Sequence, residues 1–264
     1  MIKEIQCSRC GSCIRECNKQ MGVITLTDKG VEIELDECNK CGHCVAVCPT
    51  DSMDHPLSPR QELVGEALTP EDAEMFLRSA RTVRYYKDEL VPHEKMQRLL
   101  DIGRYAQTGA NTQGISYIVI EGKEKIENLH KLFNSKANEA CRKDPSLARL
   151  SDYMKRQEEQ KSDIVFRDAP ELILALSDID NVQGKENAQF SLTFIALLAP
   201  TLGIGTCWAG IFELLATRKE YAKPFLEFAG VPEGKRISGA MMAGIPDVKF
   251  RRLVARDPLS IEWR

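Results

Sequence analysis

Hydrophobic and polar positions change their spacing along the chain, and each spacing predicts an element. Val23–Thr27 and Val31–Leu35 alternate apolar and polar residues around Asp28-Lys29-Gly30, which predicts a β-hairpin. Later, short apolar runs predict strands, and apolar residues three or four apart predict amphipathic helices. The predicted strands are Tyr117–Ile120, Leu172–Leu176, Cys207–Phe212 and Ile237–Ala243, and the predicted helices are Glu94–Gln107 and Lys185–Leu202, the latter bent at Pro200. Strands mixed with helices indicate an α+β fold.

The stretch between the hairpin and the helices predicts a domain boundary. Asp54–Leu68 contains two prolines and no clear periodicity, so we interpret it as a linker. Thr69-Pro70-Glu71-Asp72 then predicts a helix start, with Thr69 as its cap. We therefore predict one domain over residues 1–62 and a second over 63–264, which begins with linker to about residue 69. Arg142–Lys161, rich in charge, predicts a solvated helix or a mobile flap.

Composition narrows the classes of partner. The chain has 264 residues, 43% of them hydrophobic, and a formal net charge of −3, so nucleic acid is not expected as a partner. No apolar stretch approaches the ~20 residues that span a bilayer, so no membrane association is expected. The first ten residues contain no apolar signal-peptide core, which predicts a cytoplasmic protein.

Eight of the ten cysteines fall in two groups with the same spacing near the N-terminus. Each group has three cysteines at two-residue intervals and a fourth three residues later, and the second group ends in Cys48-Pro49. Three thiolates so spaced can surround one [4Fe–4S] cubane, while the fourth points toward another cluster. A disulfide scaffold fits poorly because more than 200 residues follow with two cysteines. Structural zinc is the alternative, but a zinc site does not need the third and fourth cysteines.

This pattern resembles the bacterial two-cluster ferredoxin, whose fourth cysteine binds the opposite cluster. The resemblance implies two crossed ligand sets, one of Cys7, Cys10, Cys13 and Cys48 and the other of Cys17, Cys38, Cys41 and Cys44. Asn18 stands where the family usually has proline after the first group. Proline there would shape the turn without binding iron, so ligation is expected to survive.

Four short motifs follow one another along the second domain: Ser79–Pro92 (SARTVRYYKDELVP), Thr108–Gln113 (TGANTQ), Leu202–Gly210 (LGIGTCWAG) and Arg256-Asp257-Pro258. In residue type and in order they resemble motifs of the nitroreductase family, which binds FMN at a dimer interface. The resemblance spans about Phe76 to Trp263, and it is strongest to the subgroup with an N-terminal 4Fe–4S ferredoxin domain. It implies an α+β FMN domain of nitroreductase type after a ferredoxin-type two-cluster module.

The same motifs supply candidate flavin contacts. Two arginine forks and a hydroxyl within four residues suit a phosphate, and amide side chains suit the donor and acceptor edge of the ring. By resemblance, the backbone at Gly210 and Ile211 faces flavin N5, and Arg84 near the ring would stabilise negative charge on the reduced flavin. The predicted FMN-binding residues are Arg81, Thr82, Arg84, Thr108, Asn111, Gln113, Gly210, Ile211 and Arg256.

The remaining candidates are interpreted as structural. Cys207 is expected to be a buried apolar thiol, and Trp208 to serve packing. Cys141 and the four histidines show no ligand spacing and are expected at the surface; the histidines are His43, His55, His93 and His130.

Together these features predict an FMN-dependent reductase that passes electrons from its clusters through FMN to a small electrophile. By resemblance the electrophile is a nitroaromatic, a quinone, an activated alkene or a halogenated aromatic, and the protein is a homodimer. The donor is a low-potential protein or NAD(P)H; no GxGxxG fingerprint is present, but this family binds nicotinamide without one. Two alternatives stay open: an electron carrier that docks to a protein partner, and an enzyme whose clusters are vestigial.

Overall fold

The computed structural model describes residues 7–28 and 30–264, and the chain divides into two compact units. The first unit extends to Ala67 and includes Gly109–Thr112, and the second comprises Leu68–Thr108 and Gln113–Arg264. The predicted boundary near residue 62 stays a prediction.

The first unit contains two short helices and a hairpin. Helix α1 spans Ser12–Asn18, strands β1 and β2 span Ile24–Thr27 and Gly30–Ile33, and helix α2 spans His43–Ala46. The strands are antiparallel with Ile24 opposite Ile33, which confirms the predicted hairpin. Its small core is made of Val23, Ile24, Val31, Cys44 and Met53, with other cysteines packed against it.

The second unit is built on an antiparallel sheet in the order β3-β4-β6-β5. The strands are β3 (Ser116–Glu121), β4 (Glu171–Asp178), β5 (Gly205–Trp208) and β6 (Lys235–Gly244). Strand β4 is central and buried on both faces, because successive side chains of a strand point to opposite sides. Leu172, Leu174 and Leu176 join one hydrophobic cluster, whereas Ile173 and Ala175 join the other.

Helices cover the sheet. They are α3 (Pro70–Ser79), α4 (His93–Asp101), α5 (Lys123–Lys143), α6 (Ala148–Gln160), α7 (Gly184–Leu198), α8 (Gly210–Ala216) and α9 (Lys223–Ala229). Buried phenylalanines from α5, α8, α9 and the loop before β4 pack together on one face, with ring centroids 5.3–6.5 Å apart; they are Phe133, Phe166, Phe212 and Phe225. On the other face, α4 and α7 contribute Leu99, Leu192 and Ile195.

Several predicted elements are confirmed, with small changes at their ends. The Thr69 side chain caps α3 by accepting a hydrogen bond from the Asp72 backbone N–H at 3.1 Å. Helix α7 gives way to a 3₁₀ turn, Ala199–Leu202, at Pro200. The helix predicted to reach Gln107 ends earlier, at Asp101, and continues as a 3₁₀ turn over Ile102–Tyr105.

The strand predicted over Cys207–Phe212 is wrong beyond Trp208. Strand β5 ends there, and α8 begins at Gly210. The Glu213 carboxylate holds this turn by accepting hydrogen bonds from the Trp208 indole at 3.0 Å and the Ala240 backbone N–H at 2.6 Å. Phe212 and Leu215 are three residues apart and both fully buried, which is helical rather than strand spacing.

The charged region around Arg142–Lys161 is helical, which is one of the two structures predicted for it. Helix α5 runs to Lys143, and α6 follows after a 3₁₀ turn at Pro145–Leu147. Leu147 and Leu150 are buried, which anchors the start of α6 on the core. Within the described residues, no helix combines the length and apolar character needed to cross a membrane.

Candidate functional site

The structure gathers the eight N-terminal cysteines around two cavities in the first unit. The lining of the first includes Cys7, Cys10, Cys13 and Cys48, and that of the second includes Cys17, Cys38, Cys41 and Cys44. These sets have the crossed arrangement that the ferredoxin resemblance implies. Thiolates are the ligands that iron–sulfur clusters use, so the donor set fits a [4Fe–4S] cluster in each cavity. The assignment of individual ligands stays a prediction.

The two cysteine loops have the same backbone conformation. Arg9 and Gly11 have φ of 55° and 77°, and the corresponding Lys40 and Gly42 have φ of 59° and 73°. Glycine adopts this left-handed region without steric cost, which explains its place after the second cysteine of each group. The repeated conformation curls each loop around its cavity.

Hydrogen bonds reach several of the sulfur atoms. The Ser52 backbone N–H donates to Cys48 Sγ at 3.3 Å, and the Lys40 backbone N–H donates to Cys38 Sγ at 3.4 Å. Hydrogen bonds from Ser12 lower the pKa of the exposed Cys10 thiol to about 7, whereas burial raises that of Cys44 to about 11. Iron binding must displace the Cys44 proton, because the thiolate is the ligand.

In the second unit, the predicted phosphate segment lies against the glycine-rich strand. The Val83 backbone N–H donates to the Thr206 carbonyl oxygen at 2.9 Å. A Cβ at Gly205 would come within 2.8 Å of the Val83 side chain, so this close approach requires glycine. The segment therefore brings Thr82 and Arg84, both exposed, to the side of β5.

Two arginines, Arg84 and Arg167, lie near the thiol of Cys207 and form a small cationic cluster. Burial raises the pKa of Cys207, while Arg167, which hydrogen-bonds to the thiol, and Arg84 act in the opposite direction. Tyr86 lies near the same groups; burial raises its pKa, and its hydroxyl donates to the Val83 carbonyl oxygen at 2.9 Å. Cys207 is buried in the hydrophobic core, as predicted, with the two arginines nearby.

An open cavity lies beside Gly210 and Ile211, the backbone predicted to face flavin N5. Trp208 and Arg167 line it, together with Arg149 and Tyr153 from α6, and its lining includes no acidic residue. The Arg149 guanidinium stands 5.6 Å from the Tyr153 ring centroid. A Cβ at Gly210 would touch only Trp208, at 3.4 Å, so the backbone here lies open to a flat group.

Two other predicted residues line a different cavity. Thr108 and Gln113 line a space that is bordered by Gly103, Tyr117 and Ser191. The Gln113 backbone N–H donates to the Thr108 hydroxyl oxygen at 2.9 Å. Within one chain, these residues and Gly210 therefore line separate cavities.

The last three predicted residues are placed elsewhere. The Asn111 amide donates to the Asn39 carbonyl oxygen at 2.8 Å within the first unit. Arg81 donates to the carbonyl oxygens of Arg78 and Ala80 at the end of α3, at 2.7 and 2.6 Å. Arg256 is exposed, and its guanidinium donates to the carbonyl oxygen of the neighbouring Ala255 at 3.4 Å.

The sequence interpretation missed two residues of interest. Arg167 lies shortly before the buried strand β4, and no sequence motif marks a single arginine at that position. His55 was expected at the surface, but it is 1% exposed, and its Nε2 lies 3.5 Å from Cys38 Sγ. It is buried because the chain after Cys48 folds back over the second cysteine loop.

Comparison with protein families identifies the second unit. Residues 77–245, more than half of the chain, match the model of the nitroreductase family. The chain belongs to the nitroreductase family. Residues 1–49 match the model of the 4Fe-4S dicluster domain. The predicted α+β fold, the oxidoreductase class and the iron–sulfur module are confirmed, and the zinc alternative is not supported.

Individual proteins of this kind are distant in sequence. A putative NADH dehydrogenase/NAD(P)H nitroreductase of Archaeoglobus fulgidus is 23% identical over 67% of this chain and 86% of that protein. A nitroreductase structure with bound FMN from Bacteroides fragilis covers 71% of this chain and 97% of that chain, at 18% identity and a TM-score of 0.57. One from Desulfitobacterium hafniense DCB-2, also with bound FMN, has 21% identity, the same coverage and a TM-score of 0.57. These likenesses concern the fold.

Proposed function

We propose that this nitroreductase-family protein binds FMN and reduces a small electrophile with electrons that enter through its two clusters. The observation that carries the proposal is the open cavity at Gly210 and Ile211. It lies beside the cationic cluster, in a chain that also holds two cavities lined by four thiols each. When bound, the clusters would supply single electrons and FMN would deliver them in pairs to the acceptor.

The residues around β5 fit FMN. Its phosphate carries negative charge, which the guanidinium of Arg84 and the hydroxyl of Thr82 suit. The open backbone at Gly210 allows a planar ring to approach closely, and the ring's edge can accept from a backbone N–H there. Trp208, held by its hydrogen bond to Glu213, fixes one wall of the cavity.

The rest of the cavity provides a place for the acceptor. Tyr153 and Trp208 offer aromatic surfaces, and Arg149 and Arg167 add positive charge without an acidic residue in the lining. Neither arginine makes an ion pair in the described part of the chain. We infer that the site favours an electron-deficient aromatic acceptor that carries a negative charge.

We also propose that the protein is a homodimer. Thr108 and Gln113 line a cavity apart from that of Gly210 in the single chain, so a second copy would be needed to bring them to one flavin. An interface of this obligate kind buries ~2,000 Å² or more. For entry through the clusters, the electron donor is proposed to be a low-potential protein. NAD(P)H, which the name of the Archaeoglobus relative includes, is the alternative donor and would reduce the flavin directly.

The test is cofactor content and turnover after anaerobic purification. We expect eight iron atoms and one FMN per chain, as the two cysteine groups and one flavin cavity imply, and reduction of nitroaromatic acceptors. Iron and FMN with no turnover of any small acceptor would favour the electron-carrier alternative. Zinc in place of iron, or no retained flavin, would contradict the proposal.

A further inference from the structure

His55 lies inside the first unit, next to the second cysteine cavity. It is 1% exposed and lines that cavity together with Cys38. A short turn fixes its backbone, since the Ser58 backbone N–H donates to the His55 carbonyl oxygen at 3.1 Å. The Ser58 hydroxyl in turn donates to the Lys40 carbonyl oxygen at 2.6 Å, which ties this turn to the loop that carries Cys38.

The hydrogen bonds of the ring determine which nitrogen carries the proton. The Leu57 backbone N–H donates to Nδ1 at 3.1 Å, so Nδ1 is an acceptor and carries no proton. A neutral imidazole with an acceptor at Nδ1 has its proton on Nε2. The remaining N–H then points to Cys38 Sγ, 3.5 Å from Nε2.

We propose that His55 is a positioning residue that donates an N–H···S hydrogen bond to the Cys38 ligand and thereby raises the reduction potential of one cluster. Reduction adds an electron to the cluster, and part of that negative charge resides on the cysteine sulfur atoms. A hydrogen-bond donor aimed at such a sulfur stabilises the reduced form more than the oxidised form. The inference rests on the iron–sulfur assignment and does not require the flavin proposal.

His55 differs from the other donors around these sulfurs. The remaining bonds to Cys38 and Cys48 come largely from backbone N–H groups, which substitution does not remove. His55 is a side chain, so its bond can be removed while the loop is kept. The chain also offers a control histidine outside the cluster module, because His93 is exposed and belongs to the second unit.

The experiment is a redox titration of the anaerobically purified, full-length protein, followed by electron paramagnetic resonance of the reduced clusters. Replacement by phenylalanine (His55→Phe) keeps an aromatic ring but removes the N–H. We expect one of the two midpoint potentials to become more negative and the other to stay unchanged. His55→Gln, which retains an N–H donor, should recover part of the shift, and His93→Phe should leave both potentials in place.

Unchanged potentials in His55→Phe, at full iron content, would overturn the proposal and leave His55 a purely structural residue. If His55→Phe loses iron, the parent protein itself still provides a test. With ¹⁵N-labelled histidine, pulsed resonance of the reduced protein should detect coupling between one cluster and a nearby histidine nitrogen. His55→Gln should lack that coupling, and its absence from the parent protein would also refute the hydrogen bond.

Discussion

The buried carboxylate of Glu171, at the start of β4, should make the stability of the second unit depend on pH. Glu171 is fully buried, and its Oε2 accepts a hydrogen bond from the Val91 backbone N–H at 3.1 Å. Its Oε1 has no hydrogen-bond partner among the described residues. Burial therefore raises the pKa of Glu171 from 4.5 to about 7.

The sign and size of the effect follow from proton linkage. Between pH 4.5 and 7 the folded protein keeps the Glu171 proton and the unfolded chain releases it, so stability falls as pH rises. Each pKa unit corresponds to about 1.4 kcal/mol, and the full displacement therefore costs roughly 3 kcal/mol above pH 7. Glu171→Gln keeps the shape and the acceptor for Val91 but cannot ionise. The unfolding free energy of Glu171→Gln should therefore rise relative to that of the parent protein between pH 5 and pH 8, by up to roughly 3 kcal/mol.

The assay is urea unfolding followed by tryptophan fluorescence, because both tryptophans, Trp208 and Trp263, belong to the second unit. The measured quantity is the difference in unfolding free energy between Glu171→Gln and the parent protein at each pH. Glu227→Gln, at an exposed carboxylate of α9, is the control and should show a much smaller change. A difference that stays constant between pH 5 and pH 8 would refute the reasoning.

Two further predictions concern the cavities of the second unit. Gly103→Ala should destabilise the protein by about 1–3 kcal/mol in the same urea assay, because the added methyl would overlap the Tyr117 hydroxyl and lie 2.6 Å from Ser191 Oγ. The control Gly65→Ala, whose methyl would meet open space, should leave the unfolding free energy unchanged. An unchanged unfolding free energy in Gly103→Ala would contradict the packing described around Gly103. Arg167→Gln should lower kcat/KM for 4-nitrobenzoate about tenfold or more, while kcat/KM for nitrobenzene changes little. The control Arg156→Gln, on α6 but outside the cavity lining, should preserve both values. Equal losses for the two acceptors in Arg167→Gln would show that Arg167 does not select the acceptor by its charge.

Local features of the chain are the ones that its sequence predicts well. The three closely spaced cysteines of each group form a local pattern, and the ferredoxin resemblance supplied the fourth cysteine from the other group, so the two cavities lined by four thiols each were expected. The Thr69 cap and the hairpin are local in the same way. Helix α5 was not predicted because its many charges obscure the apolar residues that it buries, such as Leu129 and Phe133.

Features that depend on contacts between distant segments were missed or misplaced. The end of β5 depends on Glu213, which bonds to Ala240 from another strand, and the local apolar run at Cys207–Phe212 contains no trace of that contact. Arg167 lies in the loop before β4 and Cys207 lies on β5, so no local pattern in the sequence links the two residues. The burial of His55 likewise depends on the return of the chain after Cys48.

The route of electrons to the flavin, proposed to pass through the clusters, is tested most directly by Cys17→Ala. Cys17 lines the second cavity with three cysteines from the other group, so its loss should remove or degrade that cluster. The proposed FMN site belongs to the other unit and should stay occupied. The measurement is anaerobic stopped-flow reduction of bound FMN by a reduced low-potential ferredoxin and, separately, by dithionite.

We expect Cys17→Ala to slow reduction by the ferredoxin by orders of magnitude. Reduction by dithionite should change much less, because a small reductant can enter the open cavity at Gly210 directly. Bound FMN and iron, determined on the same samples, would establish that only the cluster has been lost. The proposed route would be contradicted if Cys17→Ala and the parent protein were reduced by the ferredoxin at equal rates. Unchanged turnover of Cys17→Ala with NADH as the donor would contradict it as well. Either result would show that electrons enter at the flavin.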